Sequence, residues 1–155
     1  MTAQVVQCAD AVVSLINAAS LSASVWAIRK NRPITRLEDL DSLACTVVPR
    51  VRVTEPSNRS DDQVTITIDI GLQRLFVADD ESNEDSDSLI GLAEEVQELL
   101  ARSRLTGDDG VSVFICVRTV CGDGDSPFFS VDQGNELQLS TAVVSATFMA
   151  WRAVA

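Results

Sequence analysis

The most constraining feature of the sequence is a strict alternation of apolar and polar residues between positions 64 and 73. The aliphatic positions are Val64, Ile66, Ile68, Ile70 and Leu72, and polar residues at the positions between them include Thr65, Thr67, Asp69 and Gln73. A period of two is typical of a β-strand that buries one face. The pattern therefore predicts a strand here, with its aliphatic side against a core.

A second alternating segment, residues 44–54, precedes this strand. The period places Cys45, Val47, Val51 and Val53 on one face and Arg50, Arg52 and Thr54 on the other. Pro49 has no N–H to donate to a sheet, so we expect an edge strand or a bulge there. Residues 55–62 are turn formers, which predicts a long antiparallel hairpin.

Helical spacing of apolar residues predicts two helices, at 3–19 and at 88–103. In the second helix we expect Leu89, Leu92, Val96, Leu99 and Leu100 to be buried. A Glu98–Arg102 pair at i,i+4 would support its last turn. The glycine-containing stretch 106–110 is expected to end it.

The remaining segments read as strands. Residues 111–120 are apolar on both faces, which favours the sheet centre. The short stretch 128–131 leads to a last strand at 137–152, an Ala-rich segment for which a helix remains an alternative. We predict a single domain over residues 1–155 of the α+β class. Its mainly antiparallel sheet of four to five strands would carry an N-terminal helix and a second helix packed on it.

The composition is poor in catalytic groups. The chain has no histidine, no tyrosine and a single lysine, Lys30, so the commonest general base and Schiff-base chemistry have few candidates. Its net charge of −11 disfavours binding to nucleic acid through the whole surface. We therefore expect a protein that is not an enzyme and that carries no cofactor.

Metal sites are not predicted either. The acidic run 79–88 contains no glycine at the position that a calcium loop requires, and is interpreted as a solvated loop. The run Asp123-Gly124-Asp125 is followed by Pro127, which offers no side-chain oxygen, so a turn is favoured. Asp69 has no visible carboxylate partner for two-metal chemistry.

The four cysteines, at positions 8, 45, 116 and 121, form no C-x-x-C pair. We interpret them as small buried apolar side chains in a reducing compartment, with a Cys116–Cys121 disulfide as the alternative. The N-terminus lacks the basic region of a signal peptide, and no apolar run approaches the ~20 residues that span a bilayer. A cytosolic or virion-associated protein without a membrane partner is expected.

Residues 37–76, LEDLDSLACTVVPRVRVTEPSNRSDDQVTITIDIGLQRLF, resemble the start of a group of small phage and prophage proteins. In these proteins a strand of V-x-V-x-P type precedes a polar loop and a strand similar to "IDIGLQ". A helix similar to LIGLAEEVQELLARSRL and closing strands that contain aromatic residues follow. The group resembled is that of the phage tail terminators, also described as tail-completion or neck proteins.

The resemblance implies an α+β subunit of a homo-oligomeric ring, commonly a hexamer. Such a ring ends growth of the tail tube and joins the tail to the head–tail connector, and DNA passes through its lumen without specific binding. Tail-tube protein and connector or neck proteins would be the partners. The protein would lie in the virion, and in the host cytoplasm during assembly.

Two charged segments are candidates for contacts between neighbours in such a ring, because closed rings need two different complementary surfaces. One is basic and the other acidic, and a solvated connection is the alternative interpretation of each. The candidate interface residues are Arg29, Lys30, Arg32 and Arg36 in the basic segment, and Asp79, Asp80, Glu81, Glu84, Asp85 and Asp87 in the acidic one.

Two other functions remain open from the sequence. A head-completion or connector-adaptor protein of the phage neck would share the assembly role. A bacterial domain that binds a small ligand would belong to a different class.

Overall fold

A computed structural model describes residues 3–22, 25–31, 43–77, 84–122, 129–133 and 137–153. This part of the chain forms two α-helices and seven β-strands, all of the strands in one sheet. The elements are α1 (Gln4–Ala18), β1 (Ala27–Arg29), β2 (Ala44–Pro56), β3 (Asp61–Val77), α2 (Glu84–Leu100), β4 (Arg104–Thr106), β5 (Val113–Cys121), β6 (Phe129–Gln133) and β7 (Leu137–Ala153). The predicted α+β class is confirmed.

The strand order is β1-β2-β3-β7-β5-β4, and β6 pairs with the part of β7 that β5 leaves uncovered. Only the β1–β2 pair is parallel among the described strands, so the sheet is mainly antiparallel as predicted. The predicted count of four to five strands omits β1 and β4. Each has three residues, too few to show a period of two.

Strand β7 resolves the alternative left open for its Ala-rich sequence. It pairs with β3 along its whole length, from Leu137 opposite Val77 to Ala153 opposite Asp61. Strands β5 and β6 pair with the other edge of β7 through backbone hydrogen bonds. Because both edges are bonded, tertiary pairing overrides the helical preference of alanine. Residues 111–120 were expected at the sheet centre, but β7 and β3 hold that place and β5 is flanked only by β7 and the short β4.

Both helices pack on one side of the sheet, which we name the helix-covered face. The predicted aliphatic positions of β3 are completely buried there, and Phe114 of β5 and Phe148 of β7 join them. Cys8, Val12 and Ile16 of α1 and Leu92 and Val96 of α2 complete one continuous core.

The sheet curls around α1. This helix contacts β1 and β2 at one end of the strand order and β4 at the other. Near β1, the Asn17 side chain accepts a hydrogen bond from the Ala27 N–H (2.6 Å) and donates one to the Ala27 carbonyl (3.2 Å). After β4, a Cβ on Gly107 would lie 2.5 Å from Gln7 Oε1. Both ends of the sheet therefore contact the same helix.

Helix α2 corrects two predictions. It begins at Glu84, inside the acidic run 79–88, so the loop interpretation is wrong for residues 84–88, and 79–83 lie outside the described residues. Carboxylates are favoured at a helix N-terminus by the helix dipole. The helix ends at Leu100, and Arg102 adopts a left-handed conformation with φ 61°. The expected helical Glu98–Arg102 pair is therefore not formed, and residues 106–110 lead from β4 toward β5 instead of ending the helix.

The cysteines are free thiols, and the alternative Cys116–Cys121 disulfide is not formed. Cys8, Cys45 and Cys116 are buried as predicted, whereas Cys121 is half-buried and its thiol donates to Gln97 Oε1 of α2 (3.0 Å). Burial raises the thiol pKa of Cys8 and of Cys45 to about 12. The described helices include none long and apolar enough to cross a lipid bilayer.

Candidate functional site: the open face of the sheet

The side of the sheet opposite the helices is named here the open face. Its residues alternate with the core residues along the same strands. Its members include Thr46, Val48, Arg50, Val51 and Val53 of β2; Thr65, Thr67, Asp69, Gly71 and Gln73 of β3; Ile115, Arg118 and Val120 of β5; and Val143, Ser145, Thr147, Met149 and Trp151 of β7. Most are only half-buried, because no described element packs over them.

Two β-bulges shape this face. One lies in β2 between Pro49 and Val51, and the other in β5 between Cys116 and Arg118. A bulge adds one residue to a strand, so it reverses which face the following side chains occupy. Pro49 thus has the predicted effect, since β2 carries a bulge here and has no described partner on its outer edge beyond Val47.

The β2 bulge makes one prediction wrong. Val51 and Val53 were expected to share a face with Cys45 and Val47, but they stand opposite Thr67 and Thr65 of the open face. They are 43% and 45% exposed. A strict period of two does not account for an inserted residue, so the sequence pattern predicted that both valines face the core.

The bulges lie at the same level of the sheet and bring two arginines together. The row of paired residues at this level runs Val51–Thr67–Thr147–Arg118 across β2, β3, β7 and β5. These four strands span about 14 Å, at ~4.8 Å between neighbouring strands. Two arginine side chains that extend toward each other from β2 and β5 can bridge this distance. Arg50 and Arg118 accordingly line one depression of about 420 Å³, whose floor includes Ser145 and Thr147.

A polar network lies at the centre of the open face. Ser145 Oγ donates a hydrogen bond to Asp69 Oδ1 (2.6 Å), and Arg50 Nη1 lies 3.6 Å from Asp69 Oδ2. Both charged side chains are partly exposed, so this ion pair contributes only about 0–1 kcal/mol. Among the described residues, no acidic side chain lies within salt-bridge distance of Arg118. The open face therefore offers one internally paired arginine and one that is available to an anion.

A second depression adjoins the first beyond Arg50. It lies between β2 and β3 and has a volume of about 290 Å³. Thr46, Gly71 and Gln73 line it, and Gln73 Oε1 is a buried acceptor without a hydrogen-bond donor in the described part of the chain. The lining of this depression is mainly apolar, and among the described residues Asp69 is its one carboxylate.

The opposite end of the open face is apolar. Trp151 stands opposite Gln63 and is 52% exposed, and Met149 lies beside Ile115 of β5. With Val51 and Val53 of β2 they place apolar side chains on three strands of this face, and Thr65 and Thr67 of β3 lie between them. Large exposed apolar areas commonly mark interaction surfaces.

The carboxylate of the polar network already has hydrogen-bond and ion-pair partners. Asp69 is engaged by Ser145 and Arg50, and the described residues contain no group of His, Cys, Asp or Glu that could hold a metal ion. A different acid, Asp109, lies in the turn before β5. Hydrogen bonds from the Ser112 hydroxyl and then from backbone N–H groups lower its pKa. That arrangement stabilises a turn.

The structure separates the candidate interface residues predicted from sequence. Arg29 lies on β1, where its Nε donates to Asp10 Oδ1 of α1 (2.7 Å), and Lys30 follows it. Glu84, Asp85 and Asp87 occupy the first turn of α2. The other predicted residues, Arg32, Arg36, Asp79, Asp80 and Glu81, lie outside the described residues. Arg29 thus already has a carboxylate partner within its own chain.

Arg50 and Arg118 were missed as site residues. Arg50 follows Pro49, the residue that signalled a bulge, so its position could have been suspected from sequence. Arg118 interrupts an apolar strand, but nothing in the local pattern places it level with Arg50. Their proximity depends on the register of four strands.

No known protein family matches this chain, and no curated protein matches it. Twelve chains of solved structures do match. One of them has a name that states no function. It is 11% identical, with a TM-score of 0.48, and the alignment covers 97% of this chain and 96% of that one.

Proposed function

We propose that this protein is a non-catalytic assembly subunit that closes into a ring in the manner of a phage tail terminator. The observation that carries the proposal is the open face, one whole side of the sheet that the described chain leaves uncovered while both helices cover the other. The exposed apolar side chains of this face, Trp151 among them, would be buried by a further layer. An assembly partner would supply that layer.

The two sides of the subunit also differ from each other. A closed ring requires heterologous contacts, in which one surface meets a different surface of the next copy. The helix layer and the open face are two such surfaces on opposite sides of one domain. The resemblance of residues 37–76 to tail terminators supplies the biological setting, with tail tube on one side, connector on the other, and virion localisation.

The net charge of −11 suits a ring through which DNA passes. Negative charge repels phosphates, so a lumen of this sign would not hold the DNA. Low affinity for DNA is therefore an expected property of the purified protein at physiological salt.

The test is negative-stain imaging of the purified protein, alone and mixed with tail tubes, together with its mass in solution by light scattering. Rings of uniform diameter that cap tube ends are the expected result. A protein that stays monomeric at all concentrations and caps no tube contradicts the proposal. Binding to DNA-filled heads instead of tubes would place it on the head side of the neck.

A matched pair of variants links the test to the open face. Val53→Glu puts a charge in the apolar area and should abolish rings, because a buried unpaired carboxylate is costly. Val111→Glu is the control. Val111 is 81% exposed in the turn before β5, outside the paired strands that form this face, so its rings should be unchanged. If the two variants assemble equally well, the open face is not part of the subunit contact.

A further inference from the structure

The outer side of helix α2 carries acidic residues, whereas the open face carries Arg50 and Arg118. Asp87, Glu94 and Glu98 are exposed and recur at i, i+7 and i+11, so they lie along one line of the helix. Across Glu84–Leu100 the chain has no lysine or arginine. In the described residues, Glu94 and Glu98 have no basic side chain within salt-bridge distance. The buried residues of α2 point the other way, into the core.

Gly91 makes this helix surface flat at its middle. A Cβ added there would meet no atom of the chain within 4 Å. A glycine in the middle of an exposed helix lowers helix stability relative to alanine. Its position between Asp87 and Glu94 allows another backbone or a long side chain to approach closely.

We propose that the open face of one copy is covered by the outer side of α2 of a second copy, with Glu94 and Glu98 of that copy bound at Arg118. This inference rests on the proposed ring and specifies its subunit contact. The occupant follows from charge complementarity. In the described residues, Arg118 has no acidic partner, and Glu94 and Glu98 of α2 have no basic partner. Every copy therefore carries both halves of the contact.

The dimensions are compatible with this contact. Helix α2 has 17 residues and is about 25 Å long, which exceeds the ~14 Å between β2 and β5. Glu94 and Glu98 are one helical turn apart, so both carboxylates can approach Arg118 at the depression that it lines. The donor and acceptor surfaces lie on opposite sides of each subunit, so the contact is head-to-tail and can repeat around a ring.

A charge swap tests the contact. Arg118→Glu and the double variant Glu94→Lys/Glu98→Lys should each weaken subunit association at least tenfold in sedimentation velocity. The triple variant, which carries all three substitutions in one chain, should restore it to within about threefold of the original protein. Equimolar mixing of the two defective variants should also restore association, because each supplies the surface that the other lacks.

The matched control is Arg59→Glu, which makes the same charge change in the exposed loop between β2 and β3. It should change association by less than twofold. Circular dichroism and the melting temperature should stay unchanged in all variants. The helix double variant tests the contact without altering the sheet, should Arg118→Glu fail to fold.

The failures are distinguishable. If the original protein forms rings and the charge variants form them equally well, or if the triple variant stays defective, the α2 contact is overturned and the ring proposal stands. If the original protein forms no ring alone or on tubes, the proposed function fails and this contact fails with it. If Arg118→Glu leaves rings intact but abolishes binding of duplex DNA, the open face is a nucleic-acid surface and the proposal is overturned.

Discussion

Along β3 and β7, Ile66, Ile68 and Phe148 point to the helix-covered face and are completely buried, whereas Thr67 and Met149 point to the open face and are only half-buried. The two sets alternate on the same strands and share the same backbone hydrogen bonds. What differs is the layer above them. The helix-covered face holds the buried core that stabilises the fold. The open face leaves its side chains accessible for binding.

The sharpest test of that division compares adjacent residues of β7. Phe148→Ala removes a completely buried ring and should lower the free energy of unfolding by roughly 3–5 kcal/mol, because it leaves a cavity. Met149→Ala removes a half-buried side chain from the open face and should cost less than half as much. Urea unfolding measures both. Similar losses would mean that the open face is as important to the fold as the core.

The buried thiols make the core sensitive to alkaline pH. The pKa of Cys8 and of Cys45 is about 12 in the folded protein, raised by burial from an ordinary value of 9.0. Their stabilising contribution is complete below pH 9 and is lost as pH rises toward 12, because the unfolded chain releases these protons first. We expect each thiol to contribute a loss on the order of 2 kcal/mol by about pH 10.5, so about 4 kcal/mol for the two together. A Cys8→Ala/Cys45→Ala variant should show a shallower pH dependence in the same unfolding series, and an identical one would contradict the assignment.

Two glycines extend the comparison to small effects on the free energy of unfolding. Gly91→Ala should raise the free energy of unfolding by about 0.5–1 kcal/mol, because alanine favours the helix and its Cβ meets nothing. Gly71→Ala should not stabilise the protein, since its Cβ would lie 3.2 Å from Thr46 Oγ1 on the open face. Thermal unfolding of both variants measures the difference. Stabilisation by both would show that Thr46 can move aside.

Much of the fold was accessible from sequence because its signals are local. The helix predicted at 3–19 is α1 at Gln4–Ala18, and the buried positions of β3 are those of the period-two pattern. Pro49, which has no N–H to donate, predicted an edge strand or a bulge in β2, and a bulge lies there. These features depend on backbone chemistry and on the spacing of side chains along one segment.

The errors arose where distant segments decide the structure. Val51 and Val53 change faces because β2 must absorb an extra residue against β3, and Arg102 leaves the helix to bring the chain into β4. The candidate site depends even more on such pairing. Arg50 and Arg118 are 68 residues apart in the sequence, and two bulges at one level of the sheet bring them together.

The sequence alone determined the α+β class, the scarcity of catalytic groups and the strong negative charge, because these follow from residue types and short-range periodicity. Tertiary structure alone decided that β7 is a strand, that the helices cover only one face, and that two arginines meet on the other. Strand register and bulges are set by packing between segments far apart in the chain. That packing has no local signature, so the surface proposed here for assembly emerges only once the sheet is formed.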